Sequence, residues 1–382
     1  MKHQIITLGR ENVSVYHGLK EYKPDVVHFL ITKLTADFHL PLLEMLDDNK
    51  ISWKTYMVEP YNGLSVKDVC LKIQEENPDN DFLYNLSEGT KIMSFAAFEV
   101  AKKMNAKVIF LTQTGKIVDL IDFSSSQMQT PLSNLEILKL SGSRLWTYLN
   151  VKELPYADIQ TAHKIKDFIE SYPDMFSAIG RYYKYNCKRK IENLPQEFEV
   201  NHEIKVYIRN GRVSITRRGN PILNLQHTNS SFLMFGGRWW EAVVATQVKE
   251  WAEKHKSDSN EGLQIEAWQS VVFQANSNQR MVKNEVDILI NNRNNLIFLE
   301  CKSGFISQDD VYKMDSVRET YGGDSSIAAL ASYYPLDSVI KEKCHDLDIK
   351  TFSPNSIDEK DDFINNLPHW LDQFLRERNK VQ

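Results

Sequence analysis

The stretch "NEVDILINNRNNLIFLECKSG", residues 284–304, contains two apolar runs of strand length separated by a polar turn. An acid, Asp287, interrupts the first run, and Glu300 and Lys302 close the second. Burying charged groups without partners is very costly. Three of them in a predicted sheet therefore indicate a functional site, with a plain ion pair at a strand end as the simpler alternative.

The spacing of these residues predicts how they meet. Side chains alternate across a strand, so Glu300 and Lys302 share one face and Cys301 points to the other. If the two runs pair through the "NNRNN" turn, Asp287 lies beside them. We expect Mg²⁺ or Mn²⁺ to bind here, with carboxylate ligands from Asp287 and Glu300 and the backbone carbonyl of Cys301. Glu241, on the preceding predicted helix, adds a ligand or positions a second metal.

This constellation predicts phosphodiester chemistry. A bound metal polarises the phosphodiester and lowers the pKa of an attacking water. Lys302 would then orient or deprotonate that water, or neutralise charge that develops on the phosphorane.

Towards the N-terminus, strand-like and helical segments alternate through the first 120 or so residues, from "HQIITLG" to "AKVIFLTQ". This rhythm predicts a parallel, doubly wound sheet. Such sheets bind ligands at the carboxyl ends of their strands. The polar segments expected there are "GREN", "TKLT" and "NLSEGTK", with the candidate ligand contacts Arg10, Asn12, Thr32, Asn85, Ser87, Gly89, Thr90 and Lys91.

The segment between the two alternating regions differs in pattern. It contains a Ser- and Gln-rich stretch, a predicted helix pair and a hairpin across Asn210-Gly211. We therefore predict an α/β protein with a Rossmann-like domain at residues 1–125, a linker region with helices and a β-hairpin at 126–230, and a second α/β domain at 231–382.

Composition narrows the class of protein. The 382 residues are 42% hydrophobic and 25% charged, which is typical of a soluble protein of two or more domains. No apolar run spans a bilayer and no signal peptide is apparent, so we expect a cytoplasmic protein without membrane partners. The four cysteines form no CxxC pair, and the net charge of −5 does not support binding of nucleic acid by bulk charge. One local strip, "RYYKYNCKRK" at 181–190, combines cations with tyrosines and suits single-stranded nucleic acid; a solvated helix face is the alternative.

The order helix glutamate, strand aspartate and strand ExK resembles the PD-(D/E)xK nuclease superfamily. In that superfamily these residues build the metal site, which implies catalytic roles for Glu241, Asp287, Glu300 and Lys302. The proline often found before the aspartate is replaced by Val286.

The stretch "NLSEGTKIMSFAAF", residues 85–98, resembles the ligand loop and helix of CARF domains, the Rossmann-like sensors of CRISPR systems. With "GGRWWEAVV" and "LECKSG", the chain is similar from end to end to the CARF-plus-nuclease effectors of type III CRISPR antiviral defence, the Can/Card group. The resemblance implies an allosteric homodimer that binds a cyclic oligoadenylate, generally cyclic tetra-adenylate. It also implies cutting of single-stranded RNA or DNA, or nicking of supercoiled DNA, with Mn²⁺ or Mg²⁺.

One position departs from the family pattern and leaves the ring size of the activator open. The family loop usually has two adjacent glycines before Thr-Lys, and here the first is Glu88. Two other functions stay open: a restriction or repair nuclease without ligand control, and a non-catalytic nucleotide-sensing regulator. The sensor could also cleave its own ring ligand.

Overall fold

The computed structural model describes residues 1–112, 115–258, 265–275, 281–292, 295–323, 326–355 and 366–372. Its first domain is a seven-stranded sheet in the order β3-β2-β1-β4-β5-β6-β7, of which the first five strands are parallel. The strands are β1 Lys2–Thr7, β2 Val26–Ile31, β3 Ser52–Met57, β4 Asp81–Asn85, β5 Lys107–Leu111, β6 Lys116–Asp119 and β7 Ser125–Gln127. The helices are α1 Asn12–Tyr22, α2 Leu40–Asp48, α3 Gly63–Glu76 and α4 Lys91–Lys103.

The predicted Rossmann-like domain is thus confirmed. Strands β1 and β2 are buried along almost their whole length, as expected of parallel strands covered by helices on both faces. The strand order reverses between β1 and β4, and such a switch point is where doubly wound sheets form their ligand crevice.

The middle region is folded and compact. It contains α5 Asn134–Leu140, β8 Leu145–Asn150, α6 Tyr156–Ser171, α7 Pro173–Asn186, β9 Glu197–Glu199, β10 Ile204–Arg209, β11 Arg212–Arg217, β12 Asn220–Leu225 and α8 Ser230–Phe235. The predicted hairpin across Asn210-Gly211 is confirmed: it joins β10 to β11, and both turn residues have positive φ, 50° and 74°. Strands β9 to β12 form an antiparallel sheet of their own.

The last region is the predicted second α/β domain. Its elements are α9 Arg238–Asp258, β13 Glu266–Gln274, β14 Val282–Asn292, β15 Asn295–Lys302, α10 Gln308–Gly322, β16 Ile327–Ser332, α11 Ser338–Asp346 and β17 Lys350–Phe352. The sheet order is β17-β16-β15-β14-β13-β8, so the middle region supplies one edge strand that the sequence pattern does not reveal. The expected β14–β15 pairing is confirmed, although residues 293 and 294 at its tip lie outside the described residues.

The regions share their cores. One apolar cluster combines Ile6 and Val15 of the first domain with Trp268, Phe273 and Tyr321 of the second. Another joins α6, the antiparallel sheet and α9. Within the described residues, none of the helices has the length and apolar character needed to cross a membrane.

Candidate active site and ligand cleft

The charged residues of the opening stretch meet where β14 and β15 begin to separate. The β14–β15 register, extended by one residue, places Asp287 opposite Glu300. Beyond that point a side chain replaces the backbone as hydrogen-bond acceptor. The Asp287 Oδ2 accepts the backbone N–H of Cys301 at 2.7 Å. On the other side, Ser270 of β13 lies opposite Asp287, has a positive φ of 50° and falls where the β13–β8 register shifts. Such strand irregularities often re-aim side chains beside active sites.

Lys302 is held between two carboxylates. Its Nζ lies 2.7 Å from Glu300 Oε1 and 3.8 Å from Asp310 Oδ1. Burial alone would lower the pKa of Lys302, but Glu300, Asp287 and Asp310 together raise it to about 12. The side chain is therefore a permanent ammonium group that donates hydrogen bonds at the mouth of the site.

Glu241 reaches the same site from the first turn of α9. Burial is the main cause that raises its pKa to about 7; Glu285 and Glu300 act in the same direction, while Arg238 and Lys302 oppose it. The structure therefore brings together all four residues that the sequence predicts as catalytic.

The start of α9 is fixed by its two tryptophans. Trp239 and Trp240 are fully buried, and the indole N–H of Trp240 donates to the carbonyl of Ala331 on β16 at 2.8 Å. These side chains belong to the core, and their packing holds the Glu241 backbone in place.

The cluster of acidic side chains at this site favours the binding of a cation. Burial, followed by the charges of Glu300 and Glu241, raises the pKa of Asp287 well above its usual range. Among the residues that the structure describes, no three His, Cys, Asp or Glu side chains are arranged to hold a metal ion together. Two carboxylates completed by a carbonyl and water are nonetheless a normal ligand set for Mg²⁺.

Cys301 suits the role of carbonyl ligand. Its thiol is buried in the core, and burial raises the pKa of that thiol well above its usual range, which disfavours a thiolate. The N–H of Cys301 points to Asp287, and the N–H and C=O of one strand residue point to the same side. The donors Asp287, Glu300 and the Cys301 carbonyl are all hard oxygens, so the site fits Mg²⁺ or Mn²⁺.

The loop between β4 and α4 closes over the end of β1. Gly89 has a φ of +89°, and a Cβ there would lie 2.9 Å from Thr7 Cβ, so only glycine fits. Thr90 caps α4: its hydroxyl accepts the N–H of Met93 at 3.2 Å and donates to the Pro60 carbonyl at 2.6 Å. Lys91 is the exposed first residue of α4. This places a helix N-terminus and a cation at the switch point of the sheet.

Two of the predicted ligand residues organise the loop from beneath. The buried Asn85 Oδ1 accepts the amide N–H of Ser87 at 3.1 Å and its hydroxyl at 2.5 Å. The Ser87 hydroxyl in turn accepts the N–H of Leu111 at 2.8 Å. Asn85 and Ser87 therefore hold the shape of the loop.

Asn12 has a similar bracing position. Its Nδ2 donates to the carbonyls of Phe38 and Leu140, at 2.8 and 3.1 Å, and its Oδ1 lies 3.0 Å from His39 Nδ1. The side chain is buried and all its polar atoms are engaged. It fixes the start of α1 against the neighbouring loop.

Thr32 and Arg10 differ in their access to solvent. The buried Thr32 hydroxyl lies 3.0 Å from the hydroxyl of Thr35. Arg10 is exposed, with its guanidinium 5.5 Å from the centre of the Phe38 ring. Of the three candidates in the first two strand-end loops, Arg10 has the charge that is accessible to a ligand.

Glu88, the residue that departs from the family pattern, turns towards the β1–α1 turn. Its carboxylate accepts hydrogen bonds from the Ser14 hydroxyl at 3.3 Å and from the backbone amides of Arg10 and Glu11. Burial, together with the charge of Glu11, raises the pKa of Glu88 to about 7. The carboxylate thus sits at the N-terminus of α1.

Sequence reasoning missed Asp310. This residue belongs to a capping box at the start of α10, in which its Oδ2 accepts the amide and hydroxyl of Ser307 at 2.8 and 2.6 Å. Its other oxygen faces Lys302. The signal was present as a helix-start pattern, Ser-x-x-Asp, separated from "ECKSG" by two residues.

Two family models match the chain. The Card1 CARF domain matches residues 18–138, and the Card1-like endonuclease domain matches residues 229–371. No curated protein matches the chain by sequence.

Solved structures match nearly the whole chain. Can2 from Sulfobacillus thermosulfidooxidans, in complex with cyclic tetra-adenylate, is 18% identical, with a TM-score of 0.71 over 98% of this chain and 99% of its own. Protein VC1899 from Vibrio cholerae is 17% identical, with a TM-score of 0.76 and 98% coverage of both chains. A type III CRISPR defence DNA nuclease activated by cyclic oligoadenylate is 13% identical, with a TM-score of 0.61 over 98% of this chain and 51% of that one. At these identities the structures show a shared fold.

Proposed function

Since the chain combines a Card1 CARF domain with a Card1-like endonuclease domain, we propose that it is an endonuclease activated by a cyclic oligoadenylate and dependent on Mn²⁺ or Mg²⁺. The observation that carries this proposal is the convergence of Asp287, Glu300 and Lys302 at the end of the β14–β15 hairpin. It keeps the PD-(D/E)xK order, with Glu241 on the preceding helix. We expect the ring to be cyclic tetra-adenylate.

The residues of the site divide the chemistry between them. Asp287, Glu300 and the Cys301 carbonyl would hold the ion, which supplies polarisation of the phosphodiester and a more acidic water. Because the pKa of Lys302 is about 12, this side chain suits orientation of the water and neutralisation of phosphate charge better than proton abstraction. Glu241, whose pKa is about 7, can take up or release a proton near neutral pH.

A cationic strip at the end of α7 supports a nucleic-acid substrate. The cations of residues 181–190 are exposed, and Tyr185 is 70% exposed with the Lys184 ammonium 5.1 Å from its ring centre. An exposed aromatic ring among cations can stack a base while the cations contact phosphates. This composition favours single-stranded RNA or DNA, or the locally opened strands of supercoiled DNA.

A series of contacts connects the end of this strip to the proposed catalytic residues. Ile191, the next residue, approaches Gly236 so closely that a Cβ on this glycine would lie 3.4 Å from Ile191 Cδ1. The neighbouring Gly237 carbonyl accepts the Ser303 hydroxyl at 3.4 Å. Since Ser303 follows Lys302, these contacts favour a path for a bound nucleic-acid strand from the strip towards the site.

The ligand loop should depend on Lys91. Replacing Lys91 with alanine removes one charged contact to a ring phosphate, so we expect the half-maximal activating concentration of cyclic tetra-adenylate to rise about 10–100-fold. Lys103→Ala, at the opposite end of the same helix, is the matched control. The thermal shift that Mn²⁺ produces should be unchanged in both variants. Full ligand-dependent activity in Lys91→Ala would remove this residue from the site.

We propose a homodimer formed through α3 and α4. Four large apolar side chains are exposed there, namely Tyr61, Leu64, Ile92 and Phe95. The two helices are adjacent, because a Cβ on Gly63 would lie 3.5 Å from Ala96 Cβ. Contiguous exposed apolar surface of this kind commonly marks an interface, and a ring with two-fold symmetry suits a two-fold site.

The dimer predicts the effect of a charge in this patch. Phe95 is 71% exposed, so Phe95→Glu should leave the monomer folded and shift the protein from dimer to monomer in analytical ultracentrifugation. Phe123→Glu, at a 76% exposed position on the β6–β7 turn, provides the matched control. A wild-type protein that sediments as a monomer at micromolar concentration would contradict the proposed interface.

The whole proposal is tested by one cleavage assay. Labelled single-stranded RNA, single-stranded DNA and supercoiled plasmid are incubated with Mn²⁺, with and without cyclic tetra-adenylate. Cutting that requires the ring supports the proposal, and the substrate lanes identify the preferred nucleic acid. Cutting without the ring would favour a restriction-like or repair nuclease. Ring binding without cutting in any lane would favour a nucleotide-sensing regulator.

A further inference from the structure

The first β-to-α turn of the sensor domain holds an anion from its own chain. In doubly wound sheets this turn commonly binds phosphate, because the N-terminal amides of the following helix lack partners. Here the N-cap of α1 is Glu11, whose side chain makes no cap hydrogen bond. The Glu88 carboxylate, from the β4–α4 loop, accepts the amides of Arg10 and Glu11 instead.

The surrounding backbone fixes the position of the Glu88 side chain. A Cβ on Gly9 would lie 2.3 Å from Glu88 Oε2, so glycine is what allows the carboxylate to approach the turn. The Glu88 carbonyl is held as well, since it accepts the hydroxyls of Thr7 and Ser94. Both ends of the residue are therefore fixed, with the carboxylate at the start of α1.

We propose that Glu88 is a specificity-determining residue for the activator: its carboxylate occupies the anion position at the N-terminus of α1 and directs the ring phosphates to the N-terminus of α4. This inference rests on the proposed function, because it concerns the same ligand cleft. A ring whose phosphates must reach the α1 turn is rejected by charge, whereas a ring that needs only the α4 end is accepted.

The charges around Glu88 set the pH dependence of this selection. From the β1–α1 turn Glu11 faces it with like charge, while the Arg10 guanidinium lies over Phe38. Thr7 of β1, Ser14 of α1 and Ser94 of α4 are neutral, and α4 begins with the cation Lys91.

Because its pKa is about 7, Glu88 loses its charge as the pH falls through neutrality. The ring phosphates keep their charge over this range. Ring binding should therefore be tighter at pH 6 than at pH 8.

The experiment measures direct binding of cyclic tri-, tetra- and hexa-adenylate by calorimetry at pH 6 and pH 8. The variants are Glu88→Gln, which keeps the shape and removes the charge, and Glu88→Gly, which opens the anion position. Glu75→Gln, an exposed position on α3, controls for loss of one negative charge.

We expect the wild type to bind its ring about 3–10-fold more tightly at pH 6 than at pH 8, and Glu88→Gln to bind with the tighter affinity at both. Glu88→Gly should also bind a ring that the wild type rejects. Wild-type affinities and pH profiles in both variants would overturn the inference. If the wild type binds no ring, the proposed function fails. Binding gained by either variant would then still support the role of Glu88, and no binding by any protein would refute it.

Discussion

Lys302→Met is expected to abolish nucleic-acid cutting while ring binding and metal binding persist. The Lys302 ammonium lies 2.7 Å from Glu300, and no other cation is paired with that carboxylate among the described residues. Removing a cation that stabilises developing phosphate charge typically costs about 10²–10³-fold in rate, and loss of its orienting role adds to this. Single-turnover cleavage with saturating cyclic tetra-adenylate and Mn²⁺ measures the effect.

Metal affinity separates this variant from a misfolded one. In the wild type the Lys302 ammonium competes with the metal ion for the Glu300 carboxylate. Without it, Mn²⁺ should bind Lys302→Met at least as tightly as the wild type. Lys341→Met, at an exposed position on α11, should cut normally. Parallel loss of ring binding and cutting in Lys302→Met would contradict separate sensor and nuclease sites.

Asp287→Asn is expected to stabilise the metal-free protein while it abolishes cutting. An acid whose folded-state pKa is raised binds its proton more tightly in the native state, so it lowers stability as the pH rises from its ordinary pKa through the raised value. The neutral amide of the substituted side chain does not ionise, so the variant does not lose this stability at high pH. We expect the melting temperature at pH 8 to rise by about 2–4 °C, and the difference to shrink towards pH 5.

The same melting curves test metal binding. Mn²⁺ should raise the melting temperature of the wild type at pH 8, because the ion binds the native state and relieves the repulsion among the acids. Asp287→Asn should lose this response. Asp346→Asn, at an exposed position, should show the wild-type response to Mn²⁺. A lower melting temperature for Asp287→Asn at pH 8 would contradict the assignment of Asp287 as a repelled acid.

The convergence of the proposed catalytic residues could be predicted from sequence because their geometry is local. Strand alternation and one short hairpin fix Asp287, Glu300 and Lys302 relative to each other, and the structure brings them together as expected. The parallel sheet of the first domain follows from the same kind of local periodicity.

The residues that sequence reasoning missed depend on contacts between distant segments. The direction of the Glu88 side chain is set by Gly9 and the β1–α1 turn, almost eighty positions away along the chain. β8 escaped prediction because its exposed aromatic residues Trp146 and Tyr148 do not follow an inward-outward pattern, and pairing with β13 defines it as a strand.

The position of β8 has a consequence for how such effectors can be recombined. A fragment beginning at residue 229, where the endonuclease match starts, would lack β8 and α6. β13 would then present an unpaired edge, and Trp268 would lose the Tyr148 ring that stacks on it at 3.7 Å. α9 would lose the apolar side chains of α6 that cover it. The endonuclease domain therefore does not fold as an independent unit from residue 229. A chimera that exchanges the sensor domain between relatives would need its junction before residue 145, so that β8 stays with the endonuclease sheet.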